Sequence, residues 1–251
     1  MLWLVEFRKH LPVFIAVAVA TSAVSIAATA FPKVVALEVV QALCVLLCWS
    51  ATTCYSAAVV FSFLALGRDQ LLQLSTRSRW QLAFLKLCVL TVLLVAQHAL
   101  TVGLQIRDLT DAAGKTAPAA IVYVLLAKIV SISVFLLGAL LLATLSKLLR
   151  SRGTATTFFA VGLVGVIVVQ ALLLWRSGAP DTHDFFIGVG GHPFTVNLYA
   201  NILPLTLTGP SSGFLPSIAG WSMVLNLTAA LLFTAAWAVI ARGRKFDFLT
   251  M

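Results

Sequence analysis

"PAAIVYVLLAKIVSISVFLLGALLLATLSKLL", residues 118–149, carries a single charged residue, Lys128, before Lys147 closes it. The run is far longer than the ~18 apolar residues that mark a helix able to cross a bilayer. It is typical of the chain. Of 251 residues, 61% are apolar and 10% charged, and the mean hydropathy is +1.05. A soluble domain needs a polar shell and charges about a quarter of its residues to make one. Here no polar faces remain to cover buried helices, so the chain reads as an integral membrane protein of the all-α class.

Similar runs on either side give six expected spans, at residues 13–31, 34–66, 80–106, 118–149, 156–175 and 217–241, within one transmembrane domain covering residues 1–251. The second and fourth extend to roughly 48 Å at 1.5 Å per residue, beyond the ~30 Å hydrocarbon core, so they are expected to tilt or project.

The net charge of +9 does not point to nucleic acid, because the cations sit singly or in small groups at the ends of the apolar runs. With both termini cytoplasmic, twelve cations fall inside (Arg8, Lys9, Arg68, Arg77, Arg79, Lys86, Lys147, Arg150, Arg152, Arg242, Arg244 and Lys245) and four outside (Lys33, Arg107, Lys115 and Arg176). That bias follows the positive-inside rule and suits a multi-pass protein of a cell membrane. The four cysteines, Cys44, Cys48, Cys54 and Cys88, lie in or at the edges of apolar runs, with no C-x-x-C pair to suggest a disulfide or zinc site. The first residues do not read as a cleavable signal, since the apolar run that follows is too long and lacks a small-residue cleavage site.

Before the first span, residues 1–12 place Leu4, Phe7 and Leu11 at helical spacing, with Glu6, Lys9 and His10 on other faces. Pro12 disfavours helical geometry at Leu11. The expectation is an interfacial helix on the inner leaflet, then an elbow into the bilayer, with a ragged start of span one as the plainer alternative. Residues 176–216 form the longest stretch between spans. Their prolines, aromatics and brief apolar centre suggest re-entrant or interfacial helices at the outer mouth.

Between the second and third spans lies "GRDQLLQLSTRSRWQLAFLKL", residues 67–87, unusually basic for this chain. Leu71, Leu72 and Leu74 make a short apolar ridge flanked by Arg68, Asp69, Gln70 and Gln73. "STRS" then breaks the run, and Ser78 with Gln81 fits a capping box at the start of span three. The segment reads as a short amphipathic helix, a turn and a firmly started membrane helix. The plainer alternative is a solvated basic loop that only fixes topology.

These residues resemble the segment after span two in permeases of the type-2 ATP-binding-cassette transporter family. Leu71 and Leu72 match the leucine pair, "LSTRSR" the turn and Lys86 the lysine at the start of span three. The Glu-rich, Gly-Thr-containing lead-in of the family is missing, and Thr76 stands where proline is common. The resemblance implies a cytoplasmic coupling helix within residues 67–79 that docks on a separate, dimeric ATPase through Arg68, Asp69, Leu71, Leu72, Leu74 and Arg77. It implies pairing with a second permease copy or a sibling, and no cofactor on this chain, with ATP and Mg used by the partner. Small members of the family resemble bacterial exporters or immunity factors for antimicrobial peptides such as lantibiotics. The expected function is therefore export of a hydrophobic or amphipathic substrate, without enzymatic activity of its own. A membrane-embedded enzyme acting on lipid or peptide, and a non-transporting scaffold or sensor, are the alternatives.

Two motifs are decoys on their spacing. "AAGKT", residues 112–116, ends like a phosphate-binding loop but has Leu109 where glycine is needed and no strand before it. "GPSSG", residues 209–213, spells a hydrolase nucleophile elbow without the strand and helix such an elbow requires. Ser211 with His192 and Asp184 as a triad, or Asp181, His183, Asp184 and His192 as a metal site, read more simply as loop residues. No metal site is expected. Polar residues inside the spans are better leads, because burial without a partner is unfavourable. These are Lys128, Gln97, His98, Glu38 and Asn226, which either line a substrate path or bond to one another and hold helices together. Gly162 and Gly165 in span five suggest close helix packing.

Overall fold

The computed structural model describes residues 2–31, 34–66, 79–104, 117–149, 151–176 and 216–242. Six α-helices occupy them: α1 Leu2–Ala30, α2 Val35–Leu64, α3 Arg79–Leu104, α4 Ala117–Ser146, α5 Arg152–Arg176 and α6 Pro216–Arg242. Among the described residues there is no strand. Among the described residues five stretches are long and apolar enough to cross a membrane, namely Leu2–Ala30, Val39–Leu64, Gln81–Thr101, Ile129–Ser146 and Met223–Ile240; α5, at the expected fifth span, is not one of them. The protein is thus a multi-pass α-helical membrane protein. Residues 67–78 and 177–215, with the expected coupling helix and re-entrant segment, lie outside the described residues.

The bundle is organised around α4. It packs against α2, α3, α5 and α6, while α1 packs against α2 and α3. Burial follows that plan. In the apolar window of α4, 67% of the residues are buried, against 6% in that of α6. Surface and interior are inverted relative to a soluble bundle. Leu47, Phe84, Leu231 and Val239 are each more than 60% exposed, whereas Glu6, Lys86, Gln97, His98 and Asn226 are buried. In lipid the apolar side chains can face outward at no loss, and polar ones gain only by turning inward.

Hydroxyls inside the helices are mostly satisfied locally. Thr21, Thr52, Ser56, Thr101, Thr144 and Ser146 each donate to the carbonyl four residues earlier. This back-bonding keeps a polar atom paired where no water reaches it.

Two expectations need correction. The first concerns residues 1–12, which do not form a separate interfacial helix. The α1 helix runs unbroken from Leu2 to Ala30 with Pro12 inside it. Proline removes one backbone donor, yet the flanking turns hold because Glu6, His10 and Phe14 all pack inward on one stripe. Accordingly Leu4 is 53% exposed and Glu6 2%, the reverse of a helix lying with its apolar side down. The second concerns the start of span five, expected at Thr156. Ser151 Oγ accepts the Thr154 N–H at 3.1 Å, which caps the helix and sets its start at Arg152.

The close approaches also sort the two span-five glycines. A Cβ added at Gly162 would sit 2.8 Å from Leu142 Cδ2, so α5 and α4 meet closely there. At Gly165 it would meet nothing within 4 Å. A second tight point joins α4 to α6, where a Cβ at Gly138 would lie 3.2 Å from Phe233 Cε2.

Candidate functional site

The first three helices are tied together by a buried chain of polar groups near the end where α1 and α3 begin. Lys86 Nζ, on α3, donates to Glu6 Oε2, on α1, at 2.8 Å. Both side chains are 2% exposed. One turn along α1, His10 Nε2 lies 3.4 Å from the same carboxylate oxygen. On its other side His10 Nδ1 is 2.8 Å from the Tyr55 hydroxyl of α2. With the proton on Nε2, the imidazole accepts from Tyr55 at Nδ1, while Nε2 stays at ion-pair distance from Glu6 without a hydrogen bond among the described residues. The Lys86 ammonium also lies 5.0 Å from the centre of the Phe63 ring on α2, a cation–π approach. Phe14 closes the cluster edge-on to Tyr55.

The local reasons are plain in the sequence. Glu6 and His10 are four apart and so share a face of α1. Lys86 sits within an apolar helix, where an ammonium is tolerated only with a partner. Removing one member of such a pair leaves an uncompensated charge and typically costs about 3–5 kcal/mol. Lys86, expected among the cytoplasmic cations, is therefore an internal partner rather than a solvated topology signal.

A second polar level lies further along the same helices. His98 of α3 meets Trp49 of α2 edge to face, with ring centres 5.6 Å apart. Together with the Lys86–Phe63 contact this fixes the antiparallel register of α2 and α3. In that register Gln97 lies level with the turn between Trp49 and Thr53. Trp49, Thr53, Gln97 and His98 are all buried. Nearer the other end of α1, Gln41 Nε2 donates to Ser25 Oγ at 3.2 Å and joins α1 to α2.

The expected site residues fare differently. His98 is brought against Trp49 at the α2–α3 seam, and Gln97, beside it on α3, and Asn226, on α6, are buried. The backbones of Glu38 and Lys128 lie on α2 and α4, and their side chains fall outside the described residues. So do Arg68, Asp69, Leu71, Leu72, Leu74 and Arg77. The α3 helix begins at Arg79, directly after the expected cap Ser78. Sequence reasoning missed the Glu6–His10–Tyr55 side of the cluster. The available signal was depth, because Glu6 and Lys86 are opposite charges set at similar distances into two helices that start from the same end.

The arrangement holds charge and hydrogen bonds inside the bundle. Among the described residues no group of three His, Cys, Asp or Glu side chains is placed to hold a metal. Comparison of the chain with family models, curated proteins and solved structures gave no match. Fold and site together define a class, a multi-pass helical membrane protein with an ion pair buried among its first three helices.

Proposed function

We propose that this chain is the membrane-embedded permease subunit of an ATP-driven exporter, taking its motion from a separate ATPase through residues 67–79. The observation that supports the reading is the Glu6–Lys86 pair. It ties α1 to α3 two turns after the basic segment ends, while His10 and Tyr55 tie α1 to α2, which leads into that segment. A push on residues 67–79 then moves three helices as one body rather than bending one of them. Such a body, rocking against a second permease copy, is a means of exposing a cavity alternately to the two sides of the membrane. The substrate class that suits the apolar surroundings is hydrophobic or amphipathic, with antimicrobial peptides and drugs as examples. ATP and Mg belong to the partner.

The test lies in the ridge of the coupling segment. Leu71→Asp with Leu72→Asp puts two carboxylates where apolar anchors are expected, and central anchors carry most of an interface's energy. The double variant is expected to insert normally and to lose both copurification of the ATPase and transport. Arg68→Ala, at the rim, is expected to weaken association only modestly. A double variant that keeps its ATPase and exports normally contradicts the proposal.

A further inference from the structure

Three buried side chains of α2 and α3 have hydrogen-bonding atoms without a partner among the described residues: Trp49 Nε1, Thr53 Oγ1, and both amide atoms of Gln97. They are 0%, 1% and 4% exposed. This is not the habit of the bundle. Thr52 and Ser56, beside Thr53 on α2, both donate to carbonyls of their own helix. The same bond, to Trp49 O, is open to Thr53 by sequence, yet its hydroxyl has no partner among the described residues. Gln97 is costlier still, because a primary amide brings two donors and an acceptor out of water with nothing in return. The register set by Trp49–His98 and Lys86–Phe63 brings all three to one level of these two packed helices.

We infer that Trp49, Thr53 and Gln97 form a binding site for an uncharged hydrogen-bonding ligand of the amide type. The indole N–H can only donate, the Gln97 amide donates and accepts, and the Thr53 hydroxyl does either. A peptide-like amide answers that set with one acceptor and one donor. None of the three carries the charge that would compensate an ion taken out of water. Water offers the same hydrogen bonds, and the two occupants separate in the test. The transporter reading is needed only for calling the ligand cargo; binding itself requires no ATPase.

The test uses the full chain in nanodiscs, with the contribution of Trp49 taken as the fluorescence difference between the parent protein and Trp49→Phe. The probes are acrylamide, a neutral amide that quenches indole on contact, and iodide, an anion of similar reach. Acrylamide is expected to quench the Trp49 contribution despite its complete burial, iodide to leave it unchanged, and Gln97→Leu to abolish the acrylamide effect. Quenching by neither probe, as in a dry seam or one holding water alone, overturns the inference. Equal quenching by both overturns it too, since that describes an open aqueous crevice. Should Trp49→Phe fail to fold, the parent and Gln97→Leu are compared directly, and total acrylamide quenching is expected to fall in the variant. Gln97→Leu is also expected to melt no lower than the parent. A clear drop in melting temperature means that the amide holds the bundle together, and the site is lost.

Discussion

The near end of the α1–α3 bundle and its middle both bury polar groups, and they do so in opposite ways. At the near end Lys86, Glu6, His10 and Tyr55 follow one another within hydrogen-bond or ion-pair reach across three helices. In the middle, Trp49, Thr53 and Gln97 are as deeply buried, with polar atoms that have no partner among the described residues. A partnered buried charge resists separation, because each half is stranded without the other. An unpartnered buried dipole gains from anything that can enter and bond to it. The first region is built to stay together, the second to accept something.

The largest effect is expected from breaking the first region. Lys86→Met strands the Glu6 carboxylate and should lower the unfolding free energy of the purified protein in nanodiscs by about 3–5 kcal/mol. Adding Glu6→Gln should recover much of that loss, because a neutral amide replaces the stranded charge. Next comes the packing that holds α5 on α4. Gly162→Leu forces side-chain atoms into Leu142 and should cost about 1–3 kcal/mol in the same assay, whereas Gly165→Leu, facing open space, should change little. A smaller loss, about 0.5–1.5 kcal/mol, is expected for Tyr55→Phe, which removes the hydroxyl bonded to His10 and keeps the ring. Gln97→Leu should bring no loss at all. If Gln97→Leu destabilised the protein as much as Tyr55→Phe, the contrast between the two regions would disappear.

How far the sequence carried the fold depends on what each feature answers to. Helix positions answer to apolar length, and so α2 to α4 and α6 begin and end within about three residues of the runs read from the sequence, within ordinary boundary scatter. The start of α5 was misplaced because Ser151 caps it ahead of the apolar run. Pro12 suggests an elbow in the sequence, yet α1 runs helical through it from Leu2, with Glu6, His10 and Phe14 packed inward on either side. Gln97, His98 and Asn226 were legible as buried polar groups, since polar residues within apolar runs stand out in any such sequence. Their partners were not. Glu6 and Lys86 are eighty residues apart, and the face each presents depends on helix rotation, which a nearly uniform apolar composition does not encode. For the same reason the Lys86 ammonium looked like a surface topology signal until its pairing with Glu6 and Phe63 was seen.

The central claim is that α1, α2 and α3 move and melt as one body because a buried ion pair joins α1 to α3 while His10 and Tyr55 join α1 to α2. The most direct test is the charge exchange Glu6→Lys with Lys86→Glu, measured by unfolding in nanodiscs beside the two single reversals. Each single reversal buries two like charges and is expected to prevent assembly or destabilise it strongly. The exchanged protein is expected to assemble and to recover by several kcal/mol over either single variant, since attraction between the two positions is restored. An exchanged protein no more stable than the sum of its single reversals predicts would mean that the two side chains do not meet, and the first three helices would not be the single body described.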